Sequence, residues 1–587
     1  MGSEDEDEDQ TPPREAPQAG VAYDLSITGI EDRQLLDILE SASQLRALIK
    51  RPPATVAGLG RRARNDLERL RATLKSEGYY AATLSYQVDA TARPVTVRLN
   101  VVPGGRYTLS AFKVEYLGEA APASPDQPTL QDLGIRIGMP ARAPALRGAE
   151  RKVTAILGER GYPFAKVTNL KAVVIHPERR MTVHVTVDPE MRARFGPLAI
   201  LGLTSVDVSY IRRLVTWGEG DIFDRRKVAS TRSVLSATNL FSSIKISIAP
   251  KLDEQGRLPV TIELSERPHR SVGAGLSYST DIGFNGEVYW EHRNILGRNE
   301  RLRATITGAE IGQRGKLEFR KPAFLAHNQA LLSEASITNR DTDAFEEQSV
   351  AATVALERQY RSNWRATLGV TGELAKVTDN FEDHYAKLFG LPVTASRTTT
   401  DDPLNPTRGF KLNLSATPYL GTYDEALSFL RMRAGGSTYH AIDKGKRFVA
   451  ASRLRIGSLV GASRESLPAD KRFYAGGGGS VRGYEFERVG PLDFSNDPLG
   501  GRSLIELSGE LRVRVTEKFG IVPFIDGGTV FDDSYPSFNE TIRWAAGLGL
   551  RYFTGFGPLR ADVAFPINGR DGVDDTFEFY ISIGQAF

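Results

Sequence analysis

Phe579-Tyr580-Ile581-Ser582-Ile583-Gly584-Gln585-Ala586-Phe587 alternates bulky apolar side chains with small or polar ones and ends on an aromatic ring. A strand carrying Phe579, Ile581, Ile583 and Phe587 on one face has an oily side. Inside a bilayer every backbone N–H and C=O needs an internal partner, so a strand can face lipid only in a sheet that closes on itself. The segment therefore reads as the last strand of a membrane barrel, beside the seam where that barrel closes.

The same period of two extends back to Val272. Ile505, Leu507, Leu511, Val513 and Val515 alternate with Glu506, Ser508, Glu510, Arg512 and Arg514. Trp364-Ala366-Leu368-Val370 runs against Arg365, Thr367 and Glu373, and Ile542-Trp544-Ala546-Leu548-Leu550-Tyr552 against Arg543 and Arg551. A water-soluble sandwich would show one such face as core. Two features oppose it: no helical interlude breaks the pattern, and Tyr289, Trp290, Trp544, Tyr552 and Phe553 cluster near strand ends as interfacial girdles do. At ~9 to 11 residues per spanning strand plus loops, residues 268–587 hold about sixteen strands.

Composition is compatible with this. The 587 residues are 25% charged, with a formal net charge of +3. No apolar run reaches the ~18 residues of a spanning helix, whereas a barrel needs only every second residue to be apolar. Cysteine is absent, which removes thiolate chemistry and cysteine-bound metals. The seven histidines show no paired ligand spacing, so neither metal nor cofactor is expected. Residues 1–21, acidic from Glu4 to Asp9 and then Pro-rich, read as a disordered tail without a signal peptide.

Between Tyr23 and Pro268 a unit of strand, two helices and two strands recurs. In its first copy Ala63, Leu67, Leu70 and Leu74 form one helical stripe that stops at Gly78-Tyr79. Ala149, Val153 and Ile156 lead to Gly161-Tyr162, and Val228, Thr231 and Leu235 to Asn239-Leu240-Phe241. A Gly or Asn there supplies the left-handed residue that ends a helix. Each copy closes on an alternating strand: Val95–Leu99, Met181–Val185 and Val260–Leu264. The expected domains are 22–104, 105–190 and 191–267, an array of three α+β repeats, followed by the barrel at 268–587.

Strand geometry breaks at Phe473-Tyr474-Ala475-Gly476-Gly477-Gly478-Gly479-Ser480-Val481-Arg482-Gly483-Tyr484. A phosphate cradle does not fit, because neither Gly-Lys-Ser/Thr nor a helix start follows. A guanidinium leaving bulk water needs a carboxylate or phosphate. Asp526 in Phe524-Ile525-Asp526-Gly527-Gly528 is the candidate: Phe524 and Asp526 share a face and the glycines, Gly528 among them, leave room. The loop is expected to fold into the lumen and pair Arg482 with Asp526; a solvated outer loop is the alternative. Asp532-Asp533 and Asp574-Asp575 read as solvated turns.

The Val481-Arg482-Gly483-Tyr484 and Phe524–Gly528 runs, with Glu291-His292-Arg293-Asn294-Ile295-Leu296-Gly297, Asn405-Pro406-Thr407-Arg408-Gly409-Phe410 and terminal Phe587, resemble the POTRA-plus-barrel insertase superfamily of outer membranes. Three POTRA repeats before a sixteen-stranded barrel are similar to its TamA branch, from the translocation and assembly module. The resemblance implies a Gram-negative outer-membrane barrel with periplasmic POTRA domains, unfolded autotransporter and other barrel clients, a periplasmic TamB-like partner, and no nucleic acid. It maps Arg482 to an inward-loop arginine, Asp526 to its wall partner and Phe587 to a barrel-targeting aromatic.

Glycine weakens strands, and Gly273 and Gly275 lie in the first barrel strand, Gly584 near the end of the last. A seam formed by Gly273, Gly275, Ile581, Ile583, Gly584 and Phe587 is expected to be the least stable pairing. A client strand added to its edge would relieve unpaired backbone groups in lipid. No catalytic residue is expected. A two-partner-type secretion pore and an anchor for a periplasmic lipid-transfer bridge are the alternatives.

Overall fold

A computed structural model describes residues 20–587 except 119, 120, 124, 125, 327, 361, 362, 380, 381, 556, 584 and 586. Residues 1–19, most of the expected tail, lie outside the described residues, as does Gly584. The chain divides into two compact units. One holds Met1–Leu201, Leu214–Val234 and Ile244–Glu263, the other Gly202–Arg213, Leu235–Ser243 and Leu264–Phe587.

In the first repeat, strand Tyr23–Thr28 runs parallel to Val95–Val102, which pairs antiparallel with Thr83–Asp89. The third strand is central because its inward residues Val95, Val97, Leu99 and Val101 are the most apolar and are buried. Helix Val56–Ser76 covers them with Leu59, Ala63, Leu67, Leu70 and Leu74, and Thr55 caps its start by accepting from Gly58 N–H. Gly78 takes φ +97° and Tyr79 N–H reaches back to Leu74 O at 2.9 Å, closing the helix end. Strands Thr108–Tyr116, Lys166–Ile175 and Arg180–Asp188 repeat the sheet order, as do Arg194–Leu201, Phe241–Ile248 and Arg257–Glu266. Helices Ala143–Glu159 and Arg225–Ala237 occupy the place of Val56–Ser76, ahead of Gly161 (φ +106°) and Asn239 (φ +57°).

From Arg270–Ser279 to Glu578–Ile583 the strands form one closed antiparallel barrel. Segments Glu382–Gly390 and Val393–Thr398 both lie between Trp364–Asp379 and Gly409–Tyr423, so they make a single strand interrupted at Leu391-Pro392. Proline has no N–H for the ladder, hence the break. Counted so, the barrel has sixteen strands. Its outer face is oily: Leu276 is 79% exposed and Ile306 70%. Charged side chains fill the inside, where Arg551, Asp526 and Asp562 are fully buried. Such an outside is soluble only in lipid or detergent.

Three expectations need correction. Trp290 and Tyr552 face outward, but Tyr289 lies under Arg303 and Phe553 under Arg514, both on the lumen face. Asp574 is not a solvated turn residue: Arg570 grips it at 2.7 Å and its side chain is 2% exposed. The last strand stops at Ile583, and Phe587 does not share the lipid face of Ile581 and Ile583. Its ring packs instead against the lumen guanidiniums of Arg453 (5.1 Å) and Arg512 (5.3 Å), and its carbonyl accepts from Arg512 Nη2 at 3.0 Å. Attraction between the face of the ring and these two guanidiniums draws Phe587 to the lumen side.

Candidate functional site: an arginine locked in the lumen beside a short seam

Strand Phe448–Val460 leads into a segment that returns to the wall only at Ser503. Between them Leu467, Phe473, Ala475, Val481, Tyr484 and Val489 are buried in one cluster with wall residues Val377, Leu388, Leu459 and Val530, so the loop fills part of the lumen. Its tip is a tight knot. Gly477 N–H donates to Tyr484 O at 3.0 Å, Ser480 N–H to Gly477 O at 3.0 Å, and Gly476 N–H to Ser480 Oγ at 3.0 Å. At Gly483 (φ +94°) a Cβ would lie 2.9 Å from Ala545 Cβ, so glycine is required twice over.

The knot delivers Arg482 to the wall, where it is 2% exposed. Nε donates to Asp526 Oδ2 at 2.6 Å and Nη2 to Oδ1 at 3.0 Å, a bidentate pair. Nη1 reaches Glu510 Oε1 and Asp562 Oδ2, both at 3.0 Å. The guanidinium carbon stands 3.5 Å from the Phe524 ring centre, which closes its free face. Gly528 leaves room for Val481, whose Cγ2 would be 2.9 Å from an added Cβ, and Tyr484 OH donates to Trp544 O at 3.0 Å. Val481, Arg482, Gly483, Tyr484, Phe524, Asp526 and Gly528 are thus all brought together.

Parity along one strand does not reveal the rest. Glu510 also holds Arg512 at 2.9 Å, and Asp562 holds Arg560 at 3.0 Å as well as Arg551. Four cations thereby share three carboxylates, a network that offsets the cost of dehydrating each charge. The inward charges Glu510, Arg512, Arg560 and Asp562 are a visible signal in the sequence, but which of them meet depends on strand stagger.

The seam is short. Tyr278 pairs with Ile581 and Ser279 with Tyr580, and no further pair joins the two strands among the described residues. Thr280 N–H adds a bond to Phe579 O at 3.0 Å. Gly273 and Gly275 pair only with Tyr289 and Glu287 of the second strand, and Ile583 only with Leu559. Of the expected seam residues that the structure describes, Ile581 alone makes a pair across it. The glycine knot bridges this zipped end: Gly478 N–H donates to Asp281 Oδ2 at 3.2 Å on the first hairpin, and Gly483 N–H to Tyr580 OH at 3.1 Å on the last strand.

Residues 294–587, which carry the loop, its wall partners and the last strand, match the Omp85 superfamily domain. The chain belongs to the Omp85 superfamily. This Omp85 chain is 24% identical over 449 residues to outer membrane protein assembly factor BamA of Nitratidesulfovibrio vulgaris, covering 73% of itself and 55% of that relative. It is 18% identical over 592 residues to the protein of that name from Neisseria meningitidis serogroup B, covering 89% and 72%. It spans 55% and 60% of the length of the N. vulgaris and Neorickettsia risticii relatives. The crystal structure of BamA from Haemophilus ducreyi lacking POTRA domains 1-3 superposes with TM-score 0.70 at 18% identity, covering 81% of this chain and all of that one. That likeness shows the fold.

Proposed function

We propose that this chain is an outer-membrane insertase, which assembles unfolded barrel clients by opening the seam between its first and last strands. The observation that carries the reading is the two-pair seam: among the described residues the first strand has no partner on that side from Arg270 to Ser277, an edge ready to template a client strand. Unpaired N–H and C=O groups in hydrocarbon cost several kcal/mol each, by a rough ~2–7 kcal/mol scale, so a client strand that pairs there lowers the energy of both chains. No covalent bond changes in this action. The loop filling the lumen supports an insertase over a wide secretion pore, and the relatives' name, assembly factor, agrees.

The finer reading is TamA-like: the repeats are POTRA domains in the periplasm, the partner a TamB-like protein and the clients chiefly autotransporters. It is supported by the resemblance alone and is tested by whether this chain, tagged in envelopes, retains a TamB-like protein. For the main reading, the protein in liposomes is expected to accelerate insertion of an unfolded client barrel, followed by heat-modifiable migration. Oxidising Tyr278→Cys with Ile581→Cys, which occupies an existing pair across the seam, should stop the acceleration and a reductant restore it. Insertion no faster than in empty liposomes would end the proposal.

A further inference from the structure

Beside the glycine knot, whose Gly476 and Ser480 form part of its lining, lies a cavity of about 860 Å³ whose wall the insertase reading leaves unused. Three neighbouring strands build its basic side: Gly409–Tyr423, Glu425–Ala441 and Phe448–Val460. Register places Ser437 opposite Lys411 on one side and Arg453 on the other, while Gly435 lies between Asn413 and Arg455. Arg433 follows on the same inward face, so four cations crowd one patch. Like charges at such spacing repel.

Compensation is incomplete. Glu506 takes Arg455 at 3.3 Å, and the other carboxylates lining the cavity are engaged elsewhere, Glu357 by Arg320 and Arg365 and Glu487 by Arg340. Among the described residues no carboxylate lies within 4 Å of Lys411, Arg433 or Arg453. Arg453 is 7% exposed; Nη2 donates to Ser480 O at 2.9 Å, but its buried Nε has no acceptor. A buried guanidinium N–H without a partner is costly, and guanidinium with ammonium is the pairing that binds oxyanions. Asn413 and Ser437 add neutral donors.

We propose that this cavity is an oxyanion site that takes a phosphate group, free or as the ester of a lipid headgroup, between Lys411, Arg433 and Arg453. The ligand neutralises the repelling patch and stiffens the three strands that carry it. Rings already cover the far sides of two of these cations, Phe473 at 5.2 Å from Arg433 and Tyr439 at 5.5 Å from Lys411, which leaves their polar heads for the ligand.

The test uses the full chain in neutral detergent, titrated with inorganic phosphate at ionic strength matched by chloride. Saturable binding by calorimetry and a raised unfolding midpoint are expected. Arg433→Gln, which is exposed to the lumen and should fold, is expected to weaken binding at least about tenfold, the worth of one charge-assisted contact; adding Lys411→Gln should abolish it. Heat-modifiable migration checks that each barrel is intact. Phosphatidic acid set against phosphatidylcholine in mixed micelles distinguishes the sources: competition by phosphatidic acid assigns a lipid phosphate, its absence free phosphate. Phosphate acting no better than chloride, variants binding like the parent, or saturable binding of a glutamate-rich peptide but not of phosphate would each overturn the proposal.

Discussion

Among the described residues Arg482 is the one cation paired with Asp526, whereas Asp562 also holds Arg551 and Arg560 and Glu510 also holds Arg512. The consequences of losing either partner are therefore unequal. Arg482→Ala strands a fully buried carboxylate with Ser508 as its remaining side-chain donor, and should cost on the order of 3–5 kcal/mol. Asp526→Asn leaves Arg482 two other carboxylates and should cost less. The double variant is expected to fall short of the sum by about 1–3 kcal/mol in urea midpoints followed by heat-modifiable migration; additivity would mean the two groups do not act as a pair. Residue types and parity made this contact legible, since an arginine among glycines needs an acceptor and Asp526 shares the face of Phe524. Glu510 and Asp562 were not legible, because several inward carboxylates compete and only the stagger of separate strands selects among them.

At the scale of the element, alternation told which face a strand shows but not where it ends. Phe587 keeps the period of Ile581 and Ile583, yet among the described residues no strand pairs with it, and side-chain attraction to Arg453 and Arg512 decides its direction. The seam register has a checkable consequence in a chain without cysteine. Tyr278→Cys with Ile581→Cys occupies an existing pair and is expected to oxidise readily; Leu276→Cys with Ile583→Cys, opposite only if that register continued, should oxidise much more slowly. Equal rates would mean the seam is zipped along its length. A second element, Gly202–Arg213, is pinned by Glu266. Burial alone would raise that carboxyl, but the Ser205 hydroxyl and the Thr204, Val206 and Ser205 N–H groups outweigh it and hold it well below the usual range. A depressed carboxyl contributes stability above its unfolded pKa, about 4.3, and loses it as pH falls toward the folded value. Protease cutting within residues 202–213 should therefore rise below about pH 4, and Glu266→Gln should remove that pH dependence while raising cutting at neutral pH.

For the whole molecule, the change of period near residue 268 made the division into α+β repeats and barrel legible, because 3.6 and 2 cannot be confused over so many residues. Sheet order inside a repeat was less so: the central place of the third strand follows from which strand is apolar enough to be flanked on both edges. The two kinds of structure also report through different signals. Among the described residues every α-helix lies between Arg33 and Ala237, so helical circular dichroism reads the repeats alone, and heat-modifiable migration reads the barrel alone. Each repeat is a small domain with a modest core of its own, of the size that is marginally stable, whereas the barrel unfolds only by breaking a closed ladder held in an apolar surround. With rising urea in detergent the helical signal is expected to disappear in a first transition while the barrel still migrates as folded. A single transition in which both signals move together would show instead that repeats and barrel unfold as one cooperative body.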